Sequence, residues 1–265
     1  MLLQVHAIIV PTKLAKEDLR LHPVLRRLRN QTVYYLPIHH SNFHSRRQYR
    51  DSREEVRYVG LQSAHADDVV ERIFSEVSKE MGAEIGGARF LNLRPKSHFM
   101  LTGGRVLTPQ QTDSIYEQAA ELDISFARMV AGCSQWWLCS RWRPGQRLVN
   151  LLSLGIPTIV WMDAAAHHDI LGDHQKGGRQ SSSTTYPQTL LVSNVYEAKA
   201  ALKQLLRNAT LRAEASAKSL AIASKFSLSE SSASFVRLLR RLSVQQQYHR
   251  RKGSQCEGYP RRKSQ

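Results

Sequence analysis

The sequence predicts an α/β fold built on an open sheet, because short β-branched runs alternate with amphipathic helical segments along most of the chain. Two segments carry this prediction. Ala66–Met81 has a helical apolar pattern that ends at Gly82, and Arg141–Trp161 contains a turn, a short helix, a glycine and a buried strand in that order. With 265 residues and 42% hydrophobic content, the chain suffices for one large or two modest domains.

The N-terminal pattern is that of a β-α-β unit. A strand is predicted at Val5–Val10, a basic helix from the N-cap Thr12 to about Arg29, and a second strand at Thr32–Leu36. A lone unit of this kind cannot bury both faces of its parallel pair. We therefore expect it to pack against another part of the protein.

Five further strands are predicted along the rest of the chain. The first of them stops at Gly60, which would place this glycine at the carboxyl end of a strand, where open α/β sheets bind ligands. A capping box predicts a helix between the second and third strands, from Thr108 to about Glu121. The strands are Glu55–Val59, Ala88–Leu93, Asp123–Ala127, Thr158–Trp161 and Leu190–Val192.

The C-terminal part of the chain is helical in its pattern. Capped helices are predicted to start at Asn194, Thr210 and Ser227, and the first and third caps are followed three residues later by Glu, as in a capping box. Nothing in the sequence indicates order beyond them. Residues 243–265 are accordingly predicted to be a disordered basic tail.

The net charge of +16 is concentrated in two segments of the sequence. Residues 20–57 carry nine Arg, and residues 243–265 carry six Lys or Arg. This distribution favours a solvated basic surface over a nucleic-acid groove, so nucleic acid is not the expected partner. Three Cys without a CxxC pair predict neither disulfides nor a zinc site, and no apolar run approaches the ~20 residues of a membrane helix. We expect a soluble, cytoplasmic protein.

The start of the helix within Arg141–Trp161 has the features of an anion site. It follows Arg143, Pro144 and Gly145 and begins with Gln146 and Arg147. Backbone N–H groups, the positive end of a helix dipole and guanidinium groups would meet at this point, which suits a diphosphate. Alternatively, the arginines are surface residues at the helix start and bind no anion, although cations are unfavourable there. Neither a Walker loop nor GxGxxG is present.

Motifs for metal ions, cofactors or covalent catalysis are absent from the sequence. There is no HExxH, DxD or GxSxG pattern, and no Cys-His nucleophile pair is evident. Several histidines fall in segments predicted to be loops, where solvated side chains are favoured over metal ligands. We therefore predict no metal site and no cofactor, and the catalytic residues are unknown. The histidines are His39, His40, His167, His168 and His174.

Residues 143–161 and 190–242 together resemble the C-terminal half of glycosyltransferases with the two-Rossmann GT-B architecture. In that family a segment of the form [KR]P..R..N....G.P faces the nucleotide-sugar donor, and an Ala-rich helix followed by a last helix closes the domain. Upstream, residues 5–43 resemble the final β-α-β of the acceptor domain, and residues 54–62 resemble the strand that opens the donor domain.

The resemblance implies a Rossmann-like three-layer α/β/α donor domain over residues 54–242. Residues 1–53 would be a remnant of the acceptor domain and a linker, so the chain would be a fragment truncated at its N-terminus. The implied donor-binding residues are matched one by one to the motif and its neighbourhood. They are Gly60, Arg143, Gly145, Gln146, Arg147 and Asn150, with Gly155 and Pro157 shaping the following turn.

The function implied is transfer of a sugar from a nucleotide-diphosphate donor to an unknown acceptor, without a metal ion. The nucleotide sugar would be a substrate rather than a cofactor. Two alternatives are a catalytically inactive protein that binds nucleotide sugar, and a basic nucleic-acid-binding protein. Binding without sugar transfer would indicate the first, and an affinity that collapses with salt would indicate the second.

Overall fold

The structure is a computed structural model. It describes residues 7–21, 32–37, 39, 55–62, 67–93, 117–128, 140–141, 145–172 and 186–256, with side chains up to residue 244. Within these ranges the strands fall into two parallel sheets, one of two strands and one of five. The alternation of strands and helices predicted from the sequence is confirmed there.

The two-stranded sheet belongs to the predicted N-terminal β-α-β unit. Strand β1 (Ala7–Val10) pairs in parallel with β2 (Thr32–Tyr35), and helix α1 (Lys13–Leu21) packs beside them. Thr12 caps α1, since its Oγ1 accepts a 3.0 Å hydrogen bond from the N–H of Ala15. The predicted continuation of this helix to Arg29 lies outside the described residues.

The larger sheet has the strand order β4-β3-β5-β6-β7, and every neighbouring pair is parallel. The chain leaves β3 for β4 on one side and returns to β5 on the other side, so the strand order reverses between β3 and β5. Helices flank this sheet in a Rossmann-like α/β/α arrangement. The elements in order are β3 (Tyr58–Gln62), α2 (Asp68–Met81), β4 (Arg89–Leu93), β5 (Ile124–Ala127), α3 (Gln146–Ser153), β6 (Thr158–Trp161), α4 (Ala165–Leu171), β7 (Leu191–Val192), α5 (Val195–Arg207), α6 (Ala209–Ala223) and α7 (Leu228–Cys256).

Two helix pairs cover the two faces of this sheet. Helix α2 packs against α5, and α3 packs against α6. The crossovers β3-α2-β4 and β5-α3-β6 run in opposite directions along the sheet, so right-handed connections put α2 and α3 on opposite faces. Strands β5 and β6 are consequently buried along their whole length, and they are apolar except for Ser125 and Thr158, whose hydroxyls are hydrogen-bonded to each other at 2.7 Å.

Helix α2 and the turn that follows it (Gly82–Ile85) are also joined to α5 by ion pairs on their outer surfaces. Glu84 accepts from Arg207 at 2.8 Å, and two further pairs repeat the contact one turn apart along both helices. These pairs are exposed or half-exposed, so they fix the alignment of the two helices more than they stabilise the fold. They are Glu76 with Lys199 and Glu80 with Lys203.

Buried polar groups fix the sheet from within. The Tyr186 hydroxyl accepts from the Thr158 N–H and donates to the Thr158 carbonyl oxygen, at 2.8 Å in each case. The Asp123 carboxylate accepts from the N–H groups of Arg57 and Tyr58 at 2.7 and 2.9 Å, which fixes the start of β3. Each of these bonds satisfies a backbone group that would otherwise be costly to bury.

Three sequence predictions differ from the structure. Strand β3 continues through Gly60 to Gln62 instead of stopping before the glycine. Residues 165–171, predicted as loop, form α4, because Ala is a strong helix former and Gly172 ends the helix with a φ of 68°. Helix α7 continues beyond Ser243 to Cys256, where the sequence contains Gln, Arg and Lys and no Pro.

Candidate functional site

The N-terminus of α3 lies at the carboxyl edge of the five-stranded sheet. In a parallel sheet, a helix that follows a strand starts at the carboxyl end of that strand, and α3 lies between β5 and β6 in the chain. The N-termini of α2 and α4 lie at the same edge for the same reason. This edge is where open α/β sheets bind ligands, so the predicted anion site is positioned where a ligand is expected.

Helix α3 is held in place by its apolar face and by the turn that ends it. Residues 148–153 are buried, and Gly155 adopts a φ of 73°, which lets the N–H of Ile156 reach the carbonyl oxygen of Leu151 at 3.3 Å. A side chain at Gly155 would also press on Leu220 of α6, at 3.1 Å. The turn therefore requires glycine, and it directs the chain into β6.

At the other end of α3, Gly145 is the N-cap and makes no side-chain cap hydrogen bond. The residue is buried, and a Cβ added to it would lie 2.2 Å from Ile170 Cδ1 and 3.2 Å from the Cβ of Ala166. Helix α4 thus packs directly on the start of α3. The structure gives Gly145 a packing role, which does not depend on a bound ligand.

The predicted residue Gln146 contacts the N-terminal β-α-β unit. Its Nε2 donates a 2.9 Å hydrogen bond to the carbonyl oxygen of His39, which lies shortly after β2. In the same region the Thr12 hydroxyl donates to the Arg141 carbonyl oxygen at 2.7 Å, and the N–H of Lys13 donates to Asp169 Oδ2 at 2.7 Å. The β-α-β unit therefore packs against α4 and beside the start of α3.

This contact includes a bidentate ion pair. Arg141 Nε and Nη2 donate to the two carboxylate oxygens of Asp18 at 2.9 and 2.5 Å. Desolvation raises the pKa of the Asp169 carboxyl, although its hydrogen bond from Lys13 opposes the shift. The expectation that a lone β-α-β unit packs on another part of the protein is thus met by these contacts.

The remaining predicted residues occupy different surroundings. Arg147 is half-buried in the first turn of α3, and Asn150, one turn later, is 9% exposed. Gly60 lies inside β3, paired with Leu91 and Ser125, two residues before the strand ends. A Cβ at Gly60 would lie 2.5 Å from the Leu91 carbonyl oxygen, which explains the glycine by packing alone.

A polar cluster that the sequence pattern did not indicate lies at the same edge. Arg128 directly follows β5, and its Nη1 donates to Asp67 Oδ1 at 2.7 Å. The Arg128 guanidinium also lies over the ring of Trp161, the last residue of β6, 5.2 Å from the ring centroid. The usable signal was the position of Arg128 immediately after a predicted strand.

Comparison with known proteins gives a structural match and no sequence match. No family model matches the sequence, and no curated protein is similar to it. One chain of a crystal structure titled "Crystal structure of GtfA/B complex", a glycosyltransferase, matches with a TM-score of 0.51 over 90% of this chain, at 13% sequence identity. The chain shares the α/β fold of that protein. It spans only about half of that chain, since the match covers 46% of it.

Two of the histidines considered in the sequence lie on α4, near the carboxyl edge of the large sheet, and their rings contact backbone oxygens. His167 and His168 lie on α4 rather than in a loop, with ring nitrogens 2.5 and 2.8 Å from the carbonyl oxygens of Trp161 and Met162. His167 is buried, so the prediction of a solvated loop side chain is wrong for it. The described residues contain no group of three or more His, Cys, Asp or Glu side chains placed to hold a metal ion. His174 lies outside the described residues.

The structure thus brings Gly145, Gln146, Arg147 and Asn150 together on or beside α3, and leaves Gly60 within the sheet. Arg143 lies outside the described residues. Their roles in binding a donor stay predictions. Across the part of the chain that is described, no helix is long and apolar enough to span a bilayer.

Proposed function

We propose that this chain binds a nucleotide-diphosphate sugar as the donor half of a GT-B glycosyltransferase, and that it supports sugar transfer without a metal ion. The observation that carries the proposal is the fold match to a glycosyltransferase over 90% of the chain. The start of α3 lies at the carboxyl edge of that fold, with the arginine-rich segment of the sequence immediately before it. That edge is the general ligand-binding edge of open α/β sheets.

The charge of the α3 N-terminus supports an anionic ligand. Arg147 lies in the first helical turn, and Arg143 precedes it by four residues in the sequence. Cations at a helix N-terminus oppose the helix dipole, and an anion bound there would interact favourably with both. A diphosphate would reverse this repulsion, because the helix dipole and both guanidinium groups would attract it.

The same charges would assist the reaction. When the bond between the sugar and the diphosphate breaks, negative charge develops on the leaving diphosphate. Arg143 and Arg147 would stabilise that charge more strongly than they stabilise the intact donor, which is the differential binding that lowers a barrier. No DxD motif is present to hold a divalent cation at the phosphates, so the arginines would neutralise the leaving group.

Calorimetric titration of the chain with UDP, GDP and ADP tests the binding step. We expect one of them to bind, and Arg147→Gln to weaken that binding by ~10- to 100-fold, because one hydrogen-bonded charge contributes ~1.5–3 kcal/mol. Arg240→Gln, at an exposed position on α7, is the matched control and is expected to bind like the wild type. An unchanged affinity of the Arg147 variant would show that the diphosphate does not bind at this position.

Sugar transfer requires a separate measurement, because the chain spans only about half of the matched glycosyltransferase chain. Incubation with UDP-glucose or GDP-mannose, followed by quantification of released nucleoside diphosphate, measures turnover directly. Binding with no release would support the alternative of a protein that holds a nucleotide sugar without transferring it.

A further inference from the structure

The ion pair between Arg128 and Asp67 lies at the point where the strand order of the large sheet reverses. Asp67 is the N-cap of α2, which follows β3, and Arg128 follows β5, the neighbour of β3 on the other side of the reversal. Trp161, under the Arg128 guanidinium, ends the next strand, β6. Ligands of open α/β sheets bind in the crevice at such a reversal.

Two atoms of this pair are buried without a hydrogen-bond partner. Asp67 Oδ1 accepts from the N–H groups of Val69 and Val70 and from Arg128, whereas Asp67 Oδ2 has no partner in the structure. Arg128 Nε is also buried and unpaired. The Asp67 side chain is 1% exposed and that of Arg128 is 23% exposed. Leaving a buried donor or a buried acceptor without a partner is unfavourable, so ligand groups that pair with these two atoms would bind favourably.

The charges around the pair select the kind of group that fits. Arg128 and Asp67 neutralise each other, and the Asp163 carboxylate is close enough to interact with both. A phosphate would face two carboxylates here, which disfavours it. A ring with several hydroxyl groups is neutral, and its hydroxyls can both accept, as Arg128 Nε requires, and donate, as Asp67 Oδ2 requires.

We propose that Arg128 and Asp67 bind a hydroxyl-bearing ring of the nucleotide sugar, either the ribose or the transferred sugar. This inference rests on the proposed function. A diphosphate at the start of α3 would carry one of these rings on each side, and Arg128 lies at the same sheet edge as that helix start. In this proposal Arg128 and Asp67 recognise a ring of the ligand, and Arg147 with the preceding Arg143 binds its diphosphate.

Two conservative substitutions test the pair without removing its structural support. Asp67→Asn keeps the cap of α2, because Asn is an equally good N-cap, but it removes the carboxylate. Arg128→Lys keeps the positive charge but removes the Nε donor and the planar group that lies on Trp161. Arg240→Lys, exposed on α7, is the matched control. Melting temperatures show which variants fold.

The affinities of three probes separate the outcomes: inorganic diphosphate, the nucleoside diphosphate that the wild type binds, and the corresponding nucleotide sugar. Both variants are expected to leave inorganic diphosphate binding unchanged and to weaken binding of the nucleotide sugar by ~10- to 100-fold. Ribose recognition would weaken the nucleoside diphosphate equally, and recognition of the transferred sugar would leave it unchanged. Either pattern supports the pair as a ring-binding site.

Three results would overturn the proposal. In the first, all three probes bind both folded variants as they bind the wild type, which leaves only a structural ion pair. In the second, all three affinities fall together, which means that the pair maintains the diphosphate site rather than contacting a ring. In the third, the wild type binds no nucleoside diphosphate, which refutes the proposed function as well. The first two results leave the proposed function intact.

Discussion

Acidification is expected to destabilise this fold through one buried imidazole, that of His167. The residue is 4% exposed, and its Nδ1 lies 2.5 Å from the backbone oxygen of Trp161. Nδ1 must carry the proton of this hydrogen bond, so a second proton would have to enter at Nε2 in a buried environment. Burial lowers the pKa of His167 from 6.5 to about 4, although the hydrogen bond to Trp161 opposes the shift.

The size of the effect follows from this difference in pKa. The unfolded chain takes up the proton near pH 6.5, and the folded chain does so only near pH 4. The contribution of the neutral imidazole is therefore complete above about pH 6.5 and is lost as the pH falls towards 4. At ~1.4 kcal/mol per pH unit, the loss amounts to ~3 kcal/mol, a large part of the ~5–15 kcal/mol that stabilises a typical domain.

Urea unfolding between pH 7.5 and pH 4.5 measures this loss in the wild type and in His167→Asn. The Asn amide keeps a donor near the position of Nδ1 but does not titrate, so the variant should lose ~2–3 kcal/mol less than the wild type over this range. The raised pKa values of Asp163 and Asp169 act in the opposite direction and are common to both proteins. His168→Asn, one residue further on α4, is the control. Equal pH dependence in wild type and His167→Asn would refute this explanation.

Three further substitutions test individual contacts by urea unfolding. Gly60→Ala is expected to lower the free energy of unfolding by about 3 kcal/mol or more, because a Cβ there would lie 2.5 Å from the Leu91 carbonyl oxygen. A variant that is as stable as the wild type but binds nucleotide more weakly would contradict this, because it would give Gly60 a role in binding instead of packing. Tyr186→Phe should lower the free energy of unfolding by about 2–3 kcal/mol, because it leaves the Thr158 N–H and carbonyl without their hydroxyl partner. A loss below about 0.5 kcal/mol would show that another group replaces the hydroxyl. Asn208→Ala removes the side-chain cap of α6 and should cost about 1 kcal/mol, whereas Asn208→Asp should cost little.

Much of the fold could be predicted because its signals are local. The cap formed by Asn194 and Glu197 is present as expected, with the N–H of Glu197 donating to Asn194 Oδ1 at 3.0 Å. The extension of β3 through Gly60 was missed because glycine is unfavourable inside a strand, whereas here only glycine fits between its neighbours. Helix α4 was missed because its Asp and His residues resemble a loop, although Ala165 and Ala166 favour a helix.

The candidate site was predicted in part, and its unpredicted contacts are distant in sequence. The start of α3 at the sheet edge follows from local patterns and the rules of parallel sheets. The bond from Gln146 to His39 joins residues 107 positions apart, and the pair of Arg128 with Asp67 joins residues 61 positions apart. Such pairings depend on the three-dimensional arrangement of strands and helices, which no local pattern of residue types specifies.

The most direct test of donor binding is a crystal structure of the chain with the nucleoside diphosphate that binds it in solution. The proposed function predicts that the diphosphate lies at the N-terminus of α3, within hydrogen-bond distance of Arg147, at the carboxyl ends of β5 and β6. A diphosphate bound elsewhere on the chain would contradict the assignment of this helix start as the donor site.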